Sequence, residues 1–153
     1  MIAVWTRRSA LAFAAAALLV ACAGGQPDPT VAEITIAASG DANPDPTGRP
    51  SPTLVHIYAL KPGAGFGSGD YDALTGGDLG DLSDRIERIG RMMISPGEEV
   101  TASFELPDGS TEVGLTAAYR DVGMSKWRVQ KSVEPHEVTK LKARIGANEV
   151  VLE

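Results

Sequence analysis

Two histidines, one cysteine and a few clusters of acids and glycines are the first candidates for chemistry in this chain of 153 residues. His56 lies between Val55 and Ile57, and His136 follows Pro135. No HExxH or HxH spacing joins them, so no pair has the geometry of a zinc site on a helix or strand. Cys22 is the single cysteine. One thiol excludes an intramolecular disulfide, a cysteine-based zinc site and an iron–sulfur cluster. Serine, histidine and acids are all present, but no GxSxG elbow positions a nucleophile. Asp41-x-Asn43-x-Asp45 begins like a calcium loop, yet the sixth and twelfth positions, where an EF-hand needs Gly and Glu, are Pro46 and Pro52. Gly63-x-Gly65-x-Gly67-x-Gly69 has the glycine density of a phosphate cradle, but no Lys-Ser/Thr follows and the next charges are acidic, which repels phosphate. These residues therefore imply a protein that is not an enzyme and holds no metal and no cofactor.

The thiol has a different chemistry open to it. Arg7 and Arg8 precede an uncharged apolar run from Ala10 to Ala21, too short for a permanent membrane span and patterned as a secretory signal peptide. The run ends Leu19-Val20-Ala21-Cys22. That order resembles the lipobox of bacterial lipoproteins, in which a thiol accepts a diacylglyceryl group and a small residue before it admits the signal peptidase. Residues 1–21 are thus expected to be removed, Cys22 to be lipidated and residues 22–30 to act as a linker. One myristoyl chain holds a protein to a membrane only marginally, at about 0.8 kcal/mol per buried methylene, so the several chains of a lipoprotein cysteine make attachment effectively permanent. Ala23, rather than Asp, after the cysteine implies sorting to the outer membrane. Arg7-Arg8-Ser9-Ala10-Leu11 weakly resembles a twin-arginine export signal, but paired arginines also occur in ordinary signals, so the route stays open.

Without residues 1–21 the chain loses Arg7 and Arg8 and no acid, which leaves 12 bases against 20 acids. A net charge of −8 argues against nucleic acid as a partner. All 17 glycines and all 10 prolines remain, and such punctuation between short apolar runs suits an all-β fold. The acidity lies in the first half.

The elements that must carry these residues follow from periodicity. Val31 to Ala38 is rich in β-branched residues and reads as a strand. Ser39 to Pro52, with four prolines and two glycines, is a loop longer than most connections, a length that goes with function or disorder. Thr53 to Leu60 is apolar on both faces, which predicts a central strand covered on both sides. Lys61 to Asp84 holds seven glycines and five aspartates, and Asp70 and Asp78 are placed to cap two short helices. Leu79, Leu82, Ile86, Ile89 and Met93 form a helical stripe, but Gly90 interrupts it. The reading adopted is a short helix before Arg85 and a strand from about Arg88. Beyond it a β-meander is expected: 99–106, a type I turn at Pro107-Asp108-Gly109 with Pro second and Gly fourth, then 112–119, 126–133, 136–145 and 148–152. Eight strands predict a two-sheet β-sandwich spanning residues 31–153.

Several segments in order resemble one family, the type VI secretion system outer-membrane lipoproteins of the TssJ (VasD/SciN) family. They are the lipobox at Cys22, Asn43, Gly48-Arg49-Pro50-Ser51-Pro52 before Leu54–Leu60, Phe66 with Asp70–Leu74, and Leu79–Leu82. Pro96-Gly97-Glu98, Val113–Asp121 and Ser125–Arg128 complete the set. The glycine-rich 63–69 stretch and the basic 85–91 stretch depart from it. The resemblance implies a transthyretin-like β-sandwich with a short helical excursion between the second and third strands. It also implies a lipid-anchored scaffold at the periplasmic face of the outer membrane. The partner implied is the periplasmic C-terminal domain of the TssM (IcmF-like) inner-membrane protein, bound largely through the loop between the first two strands. In this chain that loop offers Asp41, Asn43, Asp45, Gly48 and Arg49, and its prolines lower the entropy lost on docking. The alternative is a periplasmic lipoprotein that binds a small ligand or cell-wall component. It would need an aromatic-lined pocket, and only six aromatics lie beyond residue 21, most of them on inward strand faces.

Overall fold

The computed structural model describes residues 27–76 and 78–153. The expected signal peptide and Cys22 lie outside the described residues, as does most of the 22–30 linker. The described chain forms eight strands: β1 (Val31–Ala38), β2 (Thr53–Leu60), β3 (Ile86–Ile94), β4 (Glu99–Glu105), β5 (Glu112–Ala117), β6 (Arg128–Ser132), β7 (Val138–Ile145) and β8 (Val150–Leu152). They make two four-stranded sheets, ordered β4-β1-β7-β8 and β3-β2-β5-β6. The described residues form an all-β, two-sheet sandwich with one short α-helix, α1 (Tyr71–Thr75), between β2 and β3.

Alternation along each strand builds the core. Ala32, Ile34, Ile36 and Ala38 of β1 face Val55, Ile57 and Ala59 of β2 across the sandwich, and Val113, Leu115 and Ala117 of β5 join them. Leu141, Ala143 and Ile145 of β7 complete the same layer, while Lys140, Lys142 and Arg144 point to water. The other face of β2 is also covered, as its composition predicts. Tyr58 and Leu60 pack under residues 61–85 with Phe66, Leu74 and Ile86 in a second, smaller core. Phe66 can lie on the sheet because residue 114 is glycine; a Cβ there would stand 2.8 Å from its ring.

Three expectations are corrected. First, the strands after β3 do not form a meander. β4 crosses to pair with β1, β5 returns to β2, and β7 crosses again to lie parallel to β1. Alternation fixes which face of a strand is buried but not which neighbour it takes. The four-residue β3–β4 connection, with Gly97 at φ +80°, carries the chain from one sheet to the other. Second, β3 starts at Ile86, and the apolar stripe is divided rather than helical: Ile86 enters the small core, Ile89 packs on the main one, and Met93 is 58% exposed. Gly90, which reads as an interruption, is a packing requirement, since a Cβ there would stand 2.5 Å from the Phe104 ring of the facing sheet. Beside it a bulge sets Gly90 opposite Ile57 and Arg88 opposite Tyr58. Third, the turn after β4 runs from Pro107 to Ser110, closed by Ser110 N donating to Pro107 O at 3.1 Å, with Gly109 third at φ +82°. Pro107 is its first residue, not its second.

The register also sets the ends. β1 starts beside the end of β4 and the start of β7, where Val31 pairs with Glu105 and Val138. There His136, at φ +62°, clamps the entering chain: its Nδ1 donates to Asp28 O at 2.8 Å and its backbone N to Thr30 Oγ1 at 2.9 Å. At the far end of β1, about 26 Å away for eight extended residues, the β1–β2, β5–β6 and β7–β8 loops converge.

Candidate functional site

The β1–β2 loop is long and has no secondary structure, but it is braced from within. Asp45 organises its tip. The carboxylate accepts from Thr47 Oγ1 at 2.6 Å, Thr47 N at 2.9 Å, Arg49 N at 3.1 Å and Arg49 Nε at 3.2 Å. Arg49 Nη2 adds an ion pair at 3.2 Å while its side chain stays 81% exposed. The Thr47 hydroxyl first, then the Arg49 amide, hold the Asp45 carboxyl down at about 2, so it is charged at any ordinary pH. Gly48, at φ +83°, closes the turn by donating its N–H to Asp45 O at 2.8 Å. Pro46, second in that turn, presets the backbone φ a turn needs there.

Asn43 faces the other way. It is only 3% exposed and sits at φ +50°, a conformation asparagine tolerates better than most residues. Its Nδ2 donates to Pro52 O at 3.1 Å and Ala118 O at 3.4 Å, and its Oδ1 accepts from Arg120 N at 2.8 Å. Arg120 Nε then donates to Ser51 Oγ at 2.9 Å. The two loops are thereby fastened into one surface. Asp41 stands apart, exposed, accepting from Ser39 Oγ at 2.5 Å. The structure thus brings Asp45, Gly48 and Arg49 together, turns Asn43 inward as a fastener, and leaves Asp41 on the flank.

Between these loops and the β7–β8 loop lies a groove of about 550 Å³. Pro44, Pro46, Val122 and Met124 form much of its apolar wall. Tyr119 also lines it, 4% exposed, with a hydroxyl that has no hydrogen-bond partner among the described residues. Burial first, then the Glu149 charge, push that phenol up beyond the ordinary tyrosine range. Arg120, Tyr119 and Met124 are the residues that sequence reasoning did not single out for this end. Their segment is visible in sequence; their place beside Asn43 depends on a pairing 77 residues apart.

The histidines lie elsewhere. His56 is buried on the outer face of β2, its Nδ1 3.2 Å from Tyr58 Oη, and Tyr58 Oη donates to Leu74 O at 2.6 Å. Burial, then Arg88 and Arg91, lower its pKa and keep the ring neutral near pH 7. His136 clamps the N-terminal entry. Among the described residues no group of three or more His, Cys, Asp or Glu side chains comes together as a metal cage.

Architecture and loop end together define a class: a two-sheet β-sandwich module that presents interlocked loops opposite the end where the chain enters. The family model for the type VI secretion lipoproteins (T6SS-SciN; VasD, EvfM, TssJ) matches residues 30–149, and the chain belongs to that family. The fold is similar to the type VI secretion lipoprotein TssJ1 from Pseudomonas aeruginosa, with 29% identity and a TM-score of 0.76 over 82% of this chain and 95% of that one. A chain of a type VI membrane complex is 26% identical, with a TM-score of 0.70 over 82% of this chain and 99% of that one. A chain in a structure described as the type VI secretion protein TssM C-terminal domain from EAEC is 28% identical, with a TM-score of 0.65 over 79% and 98%. No curated protein matches the chain.

Proposed function

We propose that this protein is a non-catalytic scaffold of the type VI secretion membrane complex, anchored to the periplasmic face of the outer membrane through a lipid on Cys22. Residues 1–21 serve as the signal peptide, 22–30 as the linker and 31–153 as the binding head. The head grips the periplasmic C-terminal domain of a TssM-like inner-membrane protein through its β1–β2 loop. Asp41, Gly48 and Arg49 meet the partner there, while Asn43 and Asp45 hold the loop in its docking shape. The observation that carries this reading is the opposition of the two ends. The His136 clamp fixes where the N-terminal segment leaves the head, and the braced loop lies a full strand length away at the opposite end. From Cys22 to Pro27 an extended chain reaches at most about 18 Å, so the head stays close to the bilayer with its loops toward the periplasm. Likeness to a chain of a type VI membrane complex and to one in a structure described by TssM supports the choice of partner.

The test is a pull-down of the full-length protein in detergent with the partner's periplasmic domain. Replacing residues 41–49 by a Gly/Ser linker should abolish capture; equal capture removes the loop assignment. Cys22→Ser should leave capture intact while labelled palmitate no longer enters the protein and secretion stops. Unchanged secretion by that variant would end the anchor reading.

A further inference from the structure

The loop end carries unspent donors. Asp45 is engaged by Thr47 and Arg49, and Asp121 Oδ1 accepts from Met124 N at 3.2 Å. Arg120 has no such balance. Its Nε donates to a serine hydroxyl, and its guanidinium pairs with no carboxylate among the described residues. The buried Tyr119 hydroxyl on the same groove also lacks a partner among the described residues. Arg120 and Tyr119 thus hold donors open to an incoming acceptor, a charged one in the case of Arg120. Beside it Met124 is 78% exposed, the most exposed large apolar side chain among the described residues, and it stands on the wall that Pro44, Pro46 and Val122 share. The volume, about 550 Å³, falls in the range of about 300–1,000 Å³ in which pockets enclose a ligand. The walls are pre-set by the Asn43 fastening and the prolines, so little ordering remains to be done on docking.

We propose that this groove receives an extended segment of the periplasmic partner that carries a carboxylate beside an aliphatic side chain. Arg120 takes the carboxylate through its free guanidinium N–H groups, and Met124 covers the aliphatic group. The inference rests on the reading that the loop end is the docking end, and it moves the centre of the contact from the loop tip to the seam between two loops. Arg120 is exposed until a partner covers it, and an arginine beside an apolar anchor is the composition of an interface hot spot.

The full-length protein in detergent is titrated with the partner's periplasmic domain at about 50 and about 200 mM salt. Arg120→Met should weaken binding about tenfold or more and flatten its salt dependence, because a cation–carboxylate contact has gone. Met124→Ser, at an exposed position, should weaken binding about fivefold with an unchanged unfolding midpoint. A benzoylphenylalanine photo-crosslinker at position 124 should capture the partner domain, and one at Val138, also exposed but at the tether end, should not. If the loop replacement abolishes binding while Arg120→Met and Met124→Ser bind as wild type, the groove is not the receptor and the loop reading survives. If the wild type itself fails to bind, both fall.

Discussion

The β1–β2 loop and the excursion between β2 and β3 are both long connections rich in glycine or proline, and they are held by opposite means. The loop is braced by its own polar side chains, Asp45 at the tip and Asn43 at the base, and buries little apolar surface. The excursion is gripped from the sheet. Arg88 donates to Leu74 O and Gly76 O and Arg128 to Gly69 O, and within the excursion Arg85 donates to Pro62 O and Gly63 O, while Phe66 and Leu74 sink into the small core. Because these arginines spend themselves on backbone carbonyls, no ion pair among the described residues joins them to the excursion's aspartates. The acids are left facing water. One connection is rigid so that it can be presented; the other is rigid because it roofs the outer face of β2 and its polar layer.

If that division is right, the excursion is sensitive to volume and the loop is sensitive to hydrogen-bond geometry. The largest effect should come from Phe66→Ala. The ring is 2% exposed and lies on Tyr58 with centroids 5.3 Å apart. Its loss should cost about 3–5 kcal/mol in denaturant unfolding, the transfer and cavity penalty of a buried aromatic. A cost below about 1 kcal/mol would mean that the excursion is not part of the cooperative fold, and the contrast between the two regions would have to be redrawn.

A smaller effect tests the loop. Asn43→Ala removes three hydrogen bonds and leaves a β-carbon at positive φ, at a cost of about 2 kcal/mol. Asn43→Gly removes the same bonds but accepts the backbone angle, and should be less damaging by about 1 kcal/mol. Equal unfolding midpoints for the two variants would show that the φ of +50° carries no strain.

Much of this was legible in the residues. The alternation of β1 and β7, the two apolar faces of β2 and the Asp70 cap, which accepts from Ala73 N at 2.9 Å, are local properties that periodicity and capping report directly. Pairing partners are not local, so the crossings of β4 and β7 were invisible to alternation. Gly90 looks like a defect until Phe104, which belongs to the other sheet, is set against it. The site divides the same way. The long proline-rich loop announces itself, but a polar side chain in such a loop gives no sign of whether it faces water or, like Asn43, faces the strand end it fastens. Arg120 gains its meaning only beside Ser51, a neighbour that no spacing rule supplies.

The smallest effect separates the two regions by pH, through titrations of different origin. His56 has its folded pKa lowered below the ordinary 6.5 by burial and by Arg88 and Arg91. The unfolded chain therefore binds the proton first, and the stability His56 lends, present above about pH 6.5, is lost as the pH falls below it. The charge forms on a ring whose Nδ1 lies 3.2 Å from Tyr58 Oη, the hydroxyl that ties down Leu74 O, so the excursion feels it. Asp45 is shifted downward too, from 3.8 to about 2, but as an acid already ionised at pH 5. Its bracing is lost only as the pH falls from about 3.8 toward 2. Amide hydrogen exchange corrected for intrinsic rates, compared at about pH 7.5 and pH 5.5, should show faster opening at Leu74 and Gly76 and none at Gly48 or Ser51. His56→Gln should abolish the difference. Equal acceleration in both regions would assign the change to the whole sandwich rather than to the polar layer under the excursion.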